Sequence, residues 1–185
     1  MKQYMKQLAL FALPHALIMI FCLLMIFHGF AAPFINGFAF DAQENLYVGE
    51  GKTLRIFQDG VHVGKIDMKS DTYAFTINST NELIVAYPST VYRMDTTGNI
   101  LEMWEDPVAE TYQKIRNRGA IVTLPNGNEY RKISEFGWTR IMKNGTEEVY
   151  RLSILSFVVK LLLFLSAVSL FFNGARFVHR IRSMP

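Results

Sequence analysis

Phe40-Asp41-Ala42-Gln43-Glu44-Asn45-Leu46-Tyr47-Val48 is the stretch on which the reading of this chain turns. A run of turn formers ends in Leu46, Tyr47 and Val48, residues suited to a strand. Thr53 to Gly60 follows as a second β-type run, closed by Asp59-Gly60, a pair that tolerates the positive φ of a tight hairpin. The same plan returns downstream. Phe75 leads through Asn78-Ser79-Thr80-Asn81-Glu82 to Leu83-Ile84-Val85, and Thr90-Val91-Tyr92-Arg93-Met94-Asp95-Thr96-Thr97-Gly98 completes the copy. Leu46 to Leu54 and Leu83 to Val91 share a spacing of 8, and Gly60 and Gly98 lie 38 residues apart. A third, looser copy runs from Asn128-Glu129-Tyr130 through Trp138-Thr139-Arg140-Ile141 to Lys143-Asn144-Gly145.

Outward from this core, Val61 to Ile66 and Tyr73 to Ile77 have the same β-branched and aromatic character. Short strands at such regular spacing predict an all-β meander, sandwich or propeller over residues 38–150. One helix interrupts it. Asp106-Pro107 offers an N-cap followed by proline at the first helical position, and Gly119 is a stop. Val108, Tyr112 and Ile115 fall on one stripe, which is expected to cover a sheet edge or face.

The Asp/Asn-rich turn before "Leu-Tyr-Val" and the "Val-Tyr-Arg-Met-Asp-x-x-Gly" hairpin resemble the blade repeats of β-propeller proteins. That resemblance implies four-stranded meanders arranged as blades. Two or three units cannot close a ring of four to eight blades. The resemblance therefore implies completion by an oligomer or a partner, unless the meander packs as a small sandwich.

The flanks have a different character. Of 185 residues 50% are hydrophobic, with a mean hydropathy of +0.15, and the excess is localised. Between Lys6 and Asp41 there is no Asp, Glu, Lys or Arg, and between Arg151 and Arg176 only Lys160. Residues 8–30 and 151–173 are long enough, at about 1.5 Å per residue, for membrane helices. The expected organisation is 1–7 cytoplasmic, 8–30 transmembrane, 31–37 connector, 38–150 extracytoplasmic β domain, 151–173 transmembrane and 174–185 a basic cytoplasmic tail. Orientation comes from charge: Lys2 and Lys6 precede the first helix, and Arg176, Arg180 and Arg182 follow the second. A cleaved signal peptide ending at Gly29-Phe30-Ala31 is the competing reading of the first helix, although its apolar run exceeds the usual 7–15 residues.

All 16 acidic residues lie between Asp41 and Glu148. With 13 Lys and Arg through Arg151, that segment carries −3, so the basic pI near 9.0 reports topology and nucleic acid is not an expected partner. Cys22, the one cysteine, lies in the first apolar run; a cysteine-free outer domain favours a bacterial envelope over an oxidising secretory pathway.

Catalytic signatures are absent. His62 is the only histidine of the outer segment and, between Val61 and Val63, is expected to face solvent. No Gly-x-Ser-x-Gly elbow, P-loop, dinucleotide or calcium-loop motif occurs, so no cofactor or metal is expected. The residues singled out for partner binding are Trp104, Trp138 and Lys160. Tryptophans are favoured at interfaces, and a lysine near the middle of a membrane helix costs about 2.5–3.5 kcal/mol on insertion scales. Snorkelling toward an interface is its ordinary explanation; pairing with another protein's helix is the functional one. The expectation is a non-catalytic, two-pass membrane protein of the cell envelope whose β domain assembles with a protein partner or a second copy. The alternatives are a small enzyme on cell-wall or lipid-linked substrate, or an accessory subunit of a transporter or secretion complex.

Overall fold

The computed structural model of the chain describes residues 2–28, 30–32, 34–118, 120–135 and 138–182. The fold divides into two compact units, Ala32–Leu152 and the two flanking segments, Met1–Ala31 with Ser153–Pro185.

The middle unit is built of three antiparallel sheets, each of four strands in simple succession. The first contains β1 (Ile35–Phe40), β2 (Leu46–Glu50), β3 (Thr53–Gln58) and β4 (Val61–Asp67). The second contains β5 (Ala74–Ile77), β6 (Leu83–Ala86), β7 (Thr90–Met94) and β8 (Ile100–Glu105). After α2 (Glu110–Arg118), the third contains β9 (Ile121–Thr123), β10 (Glu129–Glu135), β11 (Trp138–Lys143) and β12 (Glu147–Arg151). The loosest sequence copy is thus a complete sheet of its own. β1 begins at Ile35, inside the stretch expected to be a connector, and β8 adds a strand that the β-branched pattern did not mark.

The same turn opens each sheet. Asp41, Asn78 and Leu124 each accept a backbone bond from the residue three positions on and donate one to the carbonyl four positions on. That geometry puts Glu44, Asn81 and Gly127 at positive φ. Asp41 Oδ1 accepts the N–H groups of Gln43 and Asn45 at 3.0 and 2.8 Å, and Asn78 Oδ1 those of Thr80 and Glu82 at 3.0 and 2.8 Å. Asn78 stands 37 residues after Asp41, and Leu124 stands 46 after Asn78. The nine added residues match the length of α2.

The first sheet is in the middle. One face packs on the second sheet through Ala39, Tyr47, Leu54, Phe75, Leu83 and Val85. The other packs on the third through Phe38, Leu46, Val48, Tyr130 and Ile141, with Phe40 half-buried among them. Gly49 permits the closer of these approaches, since a Cβ there would lie 2.9 Å from Phe75 Cε1 and from the Tyr73 hydroxyl. The far face of the second sheet is covered by α2, whose Tyr112 and Ile115 pack on Ala74, Ala86 and Val91.

That helix starts later than the sequence indicates. Pro107 and Val108 belong to a turn, Ala109 has a φ of 56°, and Val108 is 77% exposed. Asp106 still caps it across this turn, accepting from the Glu110 and Thr111 N–H groups at 3.1 and 2.7 Å. The expected stop, Gly119, lies outside the described residues.

The flanking unit pairs α1 (Lys2–Phe27) with α3 (Ile154–Arg182) through Cys22, Ala31 and Val159. Among the described residues one helical stretch, Ile154–Arg176, is long and apolar enough to cross a membrane. Ala12–Phe27 of α1 is a shorter apolar stretch. The second expected span is therefore shifted three residues on from 151, because Arg151 still pairs with Arg140 in β12 and β11. The helix continues through most of the expected tail.

Candidate functional site

The first strands of the three sheets begin around one cavity of about 410 Å3. The segments entering β1 and β5 line it, together with the last turn of α2, Ala120 before β9, and Lys132 on β10. At the other end of these strands the three opening turns are tied together. Asn81 Oδ1 accepts the Ala42 N–H at 2.7 Å, and Asn126 Nδ2 donates to Glu44 Oε1 at 2.8 Å. The turns fix one end of the β unit and leave the other concave.

Bonds hold the cavity's wall in place. Asn36 Nδ2 donates to the Gly51 and Asp71 carbonyls at 3.1 and 3.0 Å, which joins β1 to the segment before β5. The Tyr73 hydroxyl donates to the Thr53 carbonyl at 3.1 Å, and burial pushes this phenol well above its ordinary range. Lys132 Nζ donates to the Ile35 carbonyl at 3.4 Å, and burial draws the ammonium below the usual lysine range. Arg116, on the exposed rim, donates to the Tyr112 hydroxyl at 3.3 Å and lies 5.8 Å from that ring's centre. Among the described residues no carboxylate forms an ion pair with either cation.

A second feature is a largely apolar edge. β8 ends the second sheet, and every one of its residues is exposed. Ile100 (55%), Leu101 (51%), Met103 (58%) and Trp104 (37%) present apolar surface, and the strand's charges are Glu102, paired with Arg93 at 3.0 Å, and Glu105, with no lysine, arginine or proline. The corresponding edge of the first sheet, β4, also exposes Val61 and Val63, but carries Lys65 paired with Asp67 at 3.3 Å. His62 is exposed there as expected, and its apolar neighbours are exposed too because β4 is an edge with a register shift opposite Phe57. In the third sheet β12 is guarded by Glu147, Glu148 and Arg151.

The three residues named from sequence do not form one site. Trp104 lies on β8. Trp138 is half-buried on β11, its ring 5.6 Å from the Arg151 guanidinium, beside a shallow 260 Å3 hollow with Glu135 and Arg140. Lys160 is half-buried on α3 in the helical unit. Sequence reasoning passed over Lys132, Arg116 and the cavity itself. The available signal was positional: in each repeat the residues just ahead of the first strand must meet, and those are Phe34–Asn36, Asp71–Tyr73 and Ala120. Among the described residues no cluster of three His, Cys, Asp or Glu could hold a metal ion.

No protein-family model and no curated protein matches the chain. Among solved structures it is similar to a protein of unknown function from Bacteroides caccae, at 15% identity and a TM-score of 0.34. That similarity takes in 64% of this chain and 45% of the other.

Proposed function

We propose that this chain is a non-catalytic assembly module of a bacterial envelope, anchored by two membrane helices with both termini cytoplasmic and residues 38–150 outside. In this reading the three meanders are propeller-like blades in an open sector, and β8 is the surface through which a second copy joins. The observation that carries it is the exposure of the whole of β8, an edge strand with four exposed apolar residues, two glutamates and none of the lysines or prolines that most often blunt such edges. An antiparallel pairing centred on Met103 sets that residue against its own copy and Glu102 against Trp104, which keeps the glutamates of the two copies from facing one another. The aromatic Trp104 is the anchor of that contact. Two-pass anchoring is supported by the apolar stretches of α1 and α3 and by the basic residues at both chain ends. Trp138 and Lys160 are further contacts for protein partners, the first beside the third sheet and the second within the bilayer.

The test is the mass of the full-length chain in mild detergent, by light scattering or mass photometry. Wild type is expected as a dimer, and Met103→Lys with Trp104→Lys as a monomer with unchanged circular dichroism. A wild-type monomer across the accessible concentration range would overturn pairing through β8. A dimer that survives both lysines would move the contact elsewhere.

A further inference from the structure

The cavity at the strand starts poses a separate question, independent of strand pairing at β8. Its lining includes an ammonium, Lys132 Nζ, which makes a long bond of 3.4 Å to the Ile35 carbonyl. A neutral carbonyl satisfies one of its three donors and none of its charge. Folding has drawn this group partly out of water, and a bound anion would offset that cost. The rim adds the Arg116 guanidinium, exposed and bonded to a neutral hydroxyl. Opposite stands Asp71, exposed, its carboxylate accepting from the Thr72 hydroxyl at 3.4 Å. Two cations against one carboxylate leave the site one positive charge in excess, which suits a monoanion better than a phosphate dianion. Its volume falls within the range of about 300–1,000 Å3 seen for small-ligand pockets.

The rest of the lining narrows the class. Asn117 on α2, with Thr72 and Asp71 before β5, offers donors and acceptors of the kind that meet hydroxyl groups. Phe34, 48% exposed, supplies an apolar surface beside them. We propose that this cavity binds a hydroxylated monocarboxylate, a uronic-acid sugar or a chain end bearing one, with the carboxylate on Lys132 and Arg116 and the hydroxyls toward Asp71, Thr72 and Asn117. Such a ligand fills every polar feature of the site: the uncompensated ammonium, the forked guanidinium, and the lone carboxylate that can only accept. Neutral sugars would bring Lys132 no counter-charge, and a small fatty acid would bring no hydroxyl to Asp71, Thr72 and Asn117.

Calorimetric titration of the full-length chain in detergent tests this with D-galacturonate, galactose, inorganic phosphate and glycine as probes. Saturable binding of galacturonate is expected, with galactose at least tenfold weaker. Lys132→Met should weaken galacturonate binding at least tenfold, and Lys132→Arg should keep part of it. Arg116→Gln changes an exposed side chain on the rim and is expected to weaken binding several-fold, so it decides the matter should Lys132→Met fail to fold. The inference is overturned if galacturonate shows no saturable binding, or if Arg116→Gln and a folded Lys132→Met both bind as wild type does. Galactose binding as tightly would remove the carboxylate from the argument. Tighter phosphate or glycine binding would assign the cavity to another ligand class and overturn it equally.

Discussion

The first and third sheets share a topology but solve opposite problems. The first is covered on both faces, so β2 alternates between two cores: Leu46 and Val48 face the third sheet while Tyr47 faces the second. The third has one covered face, with Tyr130 and Ile141, and one face of charge. On that outer face Arg140 reaches Glu135 at 2.7 Å and Glu148 at 3.8 Å, and Arg151 reaches Glu148 at 2.7 Å. Paired charges there do what α2 does for the second sheet, giving an outer sheet face something other than bare apolar surface. Two sheets of one kind can therefore end a stack in two ways, one by a helix and one by ion pairs. The stability of the two regions should respond to different variables.

The sharpest way to break that contrast is in the middle sheet. Leu54 is fully buried between the first and second sheets. Leu54→Ala should cost about 2–5 kcal/mol, read from urea unfolding, with a midpoint insensitive to salt. Gly49→Val should cost somewhat less, about 1–3 kcal/mol, because Phe75 and Tyr73 must move aside for the new side chain. A neutral Leu54→Ala would mean that the two sheets are not packed as described.

A smaller effect is expected on the charged face, and it should depend on pH. Hydrogen bonding from Arg151 holds the Glu148 carboxyl below its ordinary value, with the Arg151 and Arg140 charges adding to this. A group depressed on folding contributes stability that is present above its unfolded value and lost as pH falls through its folded value. Glu148→Gln should therefore cost about 0–1 kcal/mol at neutral pH, and less as the solution is acidified below about pH 4. A penalty that grows on acidification would show that the pairs do not stabilise this face. The smallest change should come at the guarded edge of the first sheet, where Val61 is 64% exposed. Val61→Thr should shift the unfolding midpoint by no more than about 0.5 kcal/mol in equivalent stability.

How much of this was legible follows the same contrast. Leu46-Tyr47-Val48 and Leu83-Ile84-Val85 were readable as strands because burial on both faces leaves a continuous apolar signature. The turns were readable too, since Asp41 and Asn78 leave side-chain acceptors where the backbone needs them. β1 was hidden because Asn36 and Gly37 resemble linker residues, although Asn36 spends its amide on two carbonyls across the fold. β8 was hidden because Ile100-Leu101-Glu102-Met103-Trp104-Glu105 contains neither strict alternation nor a bounded β-branched run, a bulge at Leu101 having broken the period. The cavity was illegible for a different reason. Lys132 sits in an alternating strand among other charges, and only the closure of three sheets makes it an inward-facing ammonium.

Ala32 and Leu152, the first and last residues of the β unit, belong to one apolar cluster, and the Leu152 N–H donates to the Thr139 carbonyl at 2.9 Å. Mechanically, the unit has both of its handles on the same side. Tension applied through the two ends would pass across that cluster and load β12 against β11 first. The linked opening turns, at the far end of the strands, lie off this load path, whereas the cavity, lined by Phe34 and Ile35 just inside Ala32, lies beside it.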